Sequence, residues 1–109
     1  MSDSAFPNAQ NQGAGSIPVY ESGLAYKNIT TAQSAAVKST PGTLGAVTVN
    51  TAGAGSTLTL YDSLTASGTK IATISTAAQT YLPFDCVTTI GLFAVTAGGT
   101  PADITITYL

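Results

Sequence analysis

At 109 residues the chain has room for one domain and no second core. Hydrophobic residues make up 44% of it and charged residues only 7%, far below the roughly 25% of ordinary soluble domains. Three lysines, no arginine, no histidine and five acidic residues give a net charge of −2. That balance removes the clustered cations needed to neutralise phosphates and the imidazole on which most nucleophilic triads depend.

Residues 1–23 are dominated by Ser, Asn, Gln, Gly and Pro, and the run from Asn8 to Ser16 has no hydrophobic periodicity. Such a composition predicts a flexible N-terminal arm. Four apolar residues punctuate it: Phe6, Ile17, Val19 and Tyr20. Phe6 and Ile17 each precede a proline, which holds them in extended conformations. An arm carrying spaced anchors of this kind predicts partner contacts at Phe6, Ile17, Val19 and Tyr20. No basic head followed by an apolar stretch opens the chain, which predicts synthesis in the cytoplasm. No run approaches the ~20 apolar residues of a membrane span.

From Leu24 onward, residues 24–109 read as a single β-domain. Strands are predicted near Ala25–Thr30, Ala35–Lys38, Thr43–Asn50, Ser56–Tyr61, Lys70–Ser75, Thr80–Phe84, Thr89–Thr96 and Ala102–Leu109. Val47 and Val49 alternate with Thr48, Leu58 and Leu60 with Thr57, Thr59 and Tyr61, and Ile104, Ile106 and Tyr108 with Thr105 and Thr107. A period of two built from β-branched residues marks strands buried on one side. Ile71 and Ile74 break the alternation, which predicts a bulge or cover on both faces of that strand. One short helical turn is a candidate within Thr30–Val37.

Turn chemistry separates the strands. Thr40-Pro41-Gly42 reads as a turn in which glycine takes a positive φ, and Asn50–Gly55 as the tight turn of a hairpin. Ala66-Ser67-Gly68 and Ala97–Pro101 carry similar signals. Turns at intervals of ~8–12 residues predict an all-β, antiparallel β-sandwich, jelly-roll-like, of about eight short strands.

Little chemistry is available to such a domain. Cys86 is alone, which excludes an intrachain disulfide, and without an activating base it reads as a small apolar core residue. One cysteine and no histidine cannot assemble a zinc site. Asp62, Asp85 and Asp103 each follow a strand end or proline and read as local turn formers. The expectation is therefore no enzyme, no catalytic or metal residues, no cofactor, no nucleic acid and no membrane. Five tyrosines (Tyr20, Tyr26, Tyr61, Tyr81 and Tyr108) keep a carbohydrate-binding surface open as the rival reading. Asn28-Ile29-Thr30 matches a glycosylation acceptor, and is taken as a chance match. Faces rich in Thr, Ser, Ala and Gly lose little side-chain entropy when covered, and sparse charge leaves little to desolvate.

The stretch Val37–Asn50 resembles small virion proteins of tailed bacteriophages, as do Leu58–Asp62, Gly68–Ile74 and the closing Asp103–Tyr108. The shared pattern is a lysine strand, a Pro-Gly turn, a Val-Asn-Thr-Ala-Gly segment, a Leu-Tyr-Asp strand and a final Ile-Thr-Ile-Thr-Tyr strand. The resemblance covers residues 29–109. It implies a non-catalytic virion protein, a capsid decoration or cement subunit on the capsid exterior that stabilises the head shell. The implied partners are the major capsid protein or other virion subunits, together with further copies of the chain in a homo-oligomer such as a trimer. The alternative is a glycan- or receptor-binding β-sandwich associated with a tail or fibre.

Overall fold

The computed structural model describes residues 24–109. They form eight strands: β1 (Ala25–Ile29), β2 (Gln33–Lys38), β3 (Gly42–Thr51), β4 (Thr57–Asp62), β5 (Thr69–Ser75), β6 (Thr80–Thr88), β7 (Leu92–Ala97) and β8 (Asp103–Tyr108). One sheet has the order β1-β8-β3-β6 and the other β2-β7-β4-β5, with every pair antiparallel. Strand β1 pairs with β8, β2 with β7, β3 with β6 and β4 with β5. This is a long antiparallel ribbon rolled into two layers, which is the jelly-roll arrangement.

The core lies between the layers. Ile29, Leu44, Val47, Val49, Ile104 and Ile106 come from the first sheet, and Val37, Leu58, Leu60, Ile74, Leu92 and Ala94 from the second. Each large aliphatic chain so buried contributes about 1.5–3 kcal/mol relative to an exposed one. The predicted alternation holds at Val47/Val49, Leu58/Leu60 and Ile104/Ile106, all of which face inward. Cys86 is half-buried, with a free thiol, and packs against this cluster.

Several local expectations are corrected. The Asn50–Gly55 segment is not a hairpin, because β3 and β4 lie in different sheets and the segment crosses between them. The crossing is fixed by Thr76: Gly53 N–H donates to the Thr76 carbonyl (2.9 Å) and Thr76 N–H to the Ser56 carbonyl (3.0 Å). Gly42 does not supply a positive φ. It opens β3, where a Cβ would collide with the Leu109 carbonyl oxygen. The helical candidate at Thr30–Val37 is strand β2 instead, and no helix occurs among the described residues. Three alanines and a valine cannot nucleate an isolated turn, and pairing with β7 decides the outcome.

The irregularity expected near Ile71 is present. Leu60 pairs with Ala72 and Tyr61 with Lys70, leaving Ile71 as the extra residue of a bulge. A second bulge carries β6 past Pro83. Leu44 pairs with Cys86 and Ala46 with Pro83, so Phe84 and Asp85 together oppose Gly45, with Asp85 at φ 49°. The strand therefore continues to Thr88 rather than ending at Phe84, and the predicted Thr89–Thr96 strand begins only at Leu92.

Candidate functional site

Alternation that buries one side of a sheet commits the other side to the surface, and the outer side of β1-β8-β3-β6 is unusual. Leu24, Tyr26, Tyr81, Val87 and Leu109 retain between 45% and 75% of their surface. All five fall on this side. Val87 sits between the inward Cys86 and Thr88 on β6 and pairs with Thr43. Thr43 in turn exchanges backbone hydrogen bonds of 2.8 and 2.9 Å with Leu109. Leu24 lies across Gly45, its Cδ1 standing 2.6 Å from where a Cβ would be. Tyr26 pairs with Thr107 and Tyr81 with Thr48. Among the described residues, two of the seven large apolar chains left exposed, Leu64 and Ile90, lie elsewhere.

The same face changes character along the strands. Beyond Tyr81 it carries a polar network spanning β1, β8 and β3. The Asn28 amide donates to Asp103 Oδ1 (2.7 Å) and to the Ile104 carbonyl (3.0 Å). The Asn50 amide donates to Thr105 Oγ1 (2.9 Å) and Asp103 Oδ1 (3.2 Å). Gln79 donates to the Asn50 carbonyl (2.6 Å). Asp103 thus links neighbouring strands instead of bonding its own turn. Asn28, the residue of the glycosylation match, has its amide committed to that network.

Positive charge is distributed away from this face. Lys27 lies on β1, Lys38 on β2 and Lys70 on β5, each of which is an edge strand. The fourth edge strand, β6, has Pro83 and the Asp85 bulge. Lysine, proline and bulges are devices that oppose pairing with a further strand. Lys27 pairs with the inward-facing Ile106, so no lysine stands on the outer side of the first sheet.

Asp62, at the end of β4, holds the loop that leads into β7. Its carboxylate accepts the N–H groups of Thr89 (2.9 and 3.1 Å), Ile90 (2.9 Å) and Gly91 (3.3 Å), and the Thr89 hydroxyl (3.0 Å). These bonds to the charged form, led by the Thr89 backbone, lower its pKa from 3.8 to about 2. The role is a structural clasp across 27 residues and not a local turn. Asp85 occupies its bulge, so none of the three aspartates is the local turn former that the sequence predicts.

No group of three or more His, Cys, Asp or Glu side chains is placed to hold a metal among the described residues. No helix there is long and apolar enough to cross a membrane. The predicted contacts Phe6, Ile17, Val19 and Tyr20 lie outside the described residues, as does the rest of the arm. Of the remaining tyrosines, Tyr61 and Tyr108 are half-buried while Tyr26 and Tyr81 are exposed. The apolar outer face was missed in the sequence. Its signal was present in Tyr81-Leu82-Pro83-Phe84-Asp85-Cys86-Val87, where apolar residues occupy both phases of the alternation. Comparison with protein-family models, curated proteins and solved structures finds no match.

Proposed function

We propose that the chain is a non-enzymatic structural protein of a tailed-bacteriophage virion, a decoration or cement subunit that stabilises the head shell from the capsid exterior. A jelly roll hosts many functions, so the fold alone assigns none. The observation that carries the reading is the outer side of the first sheet, where five exposed apolar side chains gather on a face without a lysine. Covering such a face requires little desolvation of charge. The resemblance of residues 29–109 to small phage virion proteins supplies the context.

Attachment on a lattice is multivalent. Many modest interfaces acting together give lasting occupancy without any single strong contact. The partners are the major capsid protein or other virion subunits, and Phe6, Ile17, Val19 and Tyr20 are the arm residues proposed to reach them. The test is co-sedimentation of the purified full chain with undecorated shells of the encoding phage. Binding is expected, and deletion of residues 1–23 is expected to weaken it. Full binding by the deletion removes the arm from the account, and absence of binding by the full chain removes the shell.

Tyr26 and Tyr81 favour a second reading, a glycan- or receptor-binding module of a tail or fibre. They project from the two edge strands of one sheet, with two strands between them, about 14 Å apart across the sheet at ~4.8 Å per strand. Exposed rings on a flat sheet suit the apolar faces of sugars. A glycan array separates the readings. Reproducible hits lost in both Tyr26→Ala and Tyr81→Ala would establish the second and displace the first.

A further inference from the structure

We propose that the outer side of the β1-β8-β3-β6 sheet is buried against the same side of a second copy of this chain. This rests on reading the protein as an assembling structural subunit, and it names the surface and the occupant.

Size is the first argument. With a tyrosine covering ~150–250 Å² when buried and a Leu or Val roughly 100 Å², the exposed fractions of Leu24, Tyr26, Tyr81, Val87 and Leu109 leave about 400–500 Å² of apolar surface. Thr43 and Thr107 lie between them in register. With these two half-buried threonines the face presents roughly 500–600 Å² per partner, below the ~800 Å² of a standard specific interface and the size of a weak one.

Charge is the second. Among the described residues, Asp85 and Asp103 are the only ionisable side chains other than tyrosines on this side, and Asp103 is already bonded to Asn28 and Asn50. A strongly basic or acidic partner would find little to pair with. A copy of the same surface offers matching apolar side chains and only the same two carboxylates as charge, and a twofold arrangement sets the two faces together as an isologous contact.

The edges supply the third argument. Lys27, Lys38 and Lys70 occupy three edge strands, and Pro83 with the Asp85 bulge interrupts the fourth. Association by adding a strand to an edge, which would otherwise be the ready route for a β-protein, is opposed at all four. Contact through a face remains.

Native mass spectrometry and sedimentation equilibrium of the full chain between about 1 and 100 µM test this. The subunit mass is 10.9 kDa, and the expected result is a species of at least twice that mass. Val87→Lys and Tyr26→Lys, on opposite edge strands, are each expected to weaken association at least 100-fold. Thr73→Lys on the outer side of the other sheet should leave it unchanged. Far-UV circular dichroism establishes that each variant remains folded. A wild-type monomer at 100 µM overturns the inference, as does an oligomer that both lysine variants leave intact. A monomer that still binds shells, and loses them on Val87→Lys, assigns the face to the shell. That result overturns the self-contact while leaving the proposed function standing. Failure to bind shells by an intact oligomer does the reverse.

Discussion

The Asp62 carboxylate takes both the backbone N–H of Thr89, at 2.9 Å, and its hydroxyl, at 3.0 Å. Through Ile90 and Gly91 it also secures the next two amides. One side chain at the end of β4 therefore sets how the chain leaves β6 and enters β7. Asp62→Ala is expected to lower the thermal midpoint and to speed hydrogen exchange at the Thr89, Ile90 and Gly91 amides, while the β3 and β8 amides keep their protection. Uniform loss of protection over both sheets would mean that the clasp is not local.

The same bonds give a pH dependence with a defined sign. The Asp62 pKa is lowered from 3.8 to about 2 in the folded state. Its contribution is therefore complete above the unfolded value and lost as pH falls from about 4 through about 2. Denaturant midpoints measured from pH 6 to pH 2 should fall in that lower window. The fall should be smaller in Asp62→Asn, which cannot titrate.

Leu60 on β4 is fully buried and pairs with Ala94 and Ala72 on either side. Alanine on both flanks makes Leu60 the one large side chain of its row across β5, β4 and β7. Leu60→Ala is expected to cost roughly 2–5 kcal/mol in urea unfolding. A loss under about 1 kcal/mol would mean that the layers close over the vacancy.

Ser56 and Thr76 are buried and share a hydrogen bond between their hydroxyls, and Ser56 Oγ also donates to the Gly53 carbonyl (3.1 Å). This pair ties the β3–β4 crossing to the segment after β5. Thr76→Val leaves Ser56 its Gly53 partner, and is expected to cost about 0.5–1.5 kcal/mol. Ser56→Ala strands the Thr76 hydroxyl in a buried site, and should cost more, about 1–3 kcal/mol. The reverse order in chemical denaturation would contradict this assignment of partners.

Lys70 guards the edge of β5, where Ile71, Ala72 and Ile74 follow it. Lys70→Val converts that edge into a longer uncharged β-branched run, so it should increase aggregation, measured by turbidity and thioflavin fluorescence on heating. The association proposed through the outer face should be unaffected. No change in aggregation would show that the edge needs no charge.

Side-chain direction was legible in the sequence while strand partnership was not. Val47/Val49, Leu58/Leu60 and Ile104/Ile106 reveal their buried side because a period of two needs no knowledge of the neighbour. Asn50–Gly55 has turn residues that suit a crossing between sheets as well as a hairpin, and the choice is made by Thr76, more than twenty residues away. Asp62 likewise reads as a turn former until Thr89 is brought beside it. Ile71 was legible as an irregularity because it breaks the alternation by itself. The outer apolar face was not, since Leu24, Tyr26, Val87 and Leu109 come together only when β1, β8, β3 and β6 assemble in that order.

Co-sedimentation of the folded full chain with undecorated shells of the phage proposed to encode it bears most directly on the central proposal. The account predicts saturable binding at a fixed ratio of chain to shell subunit, sharply reduced by deletion of residues 1–23. Chain left wholly in the supernatant, folded and at concentrations well above those of the shell subunits, would contradict it.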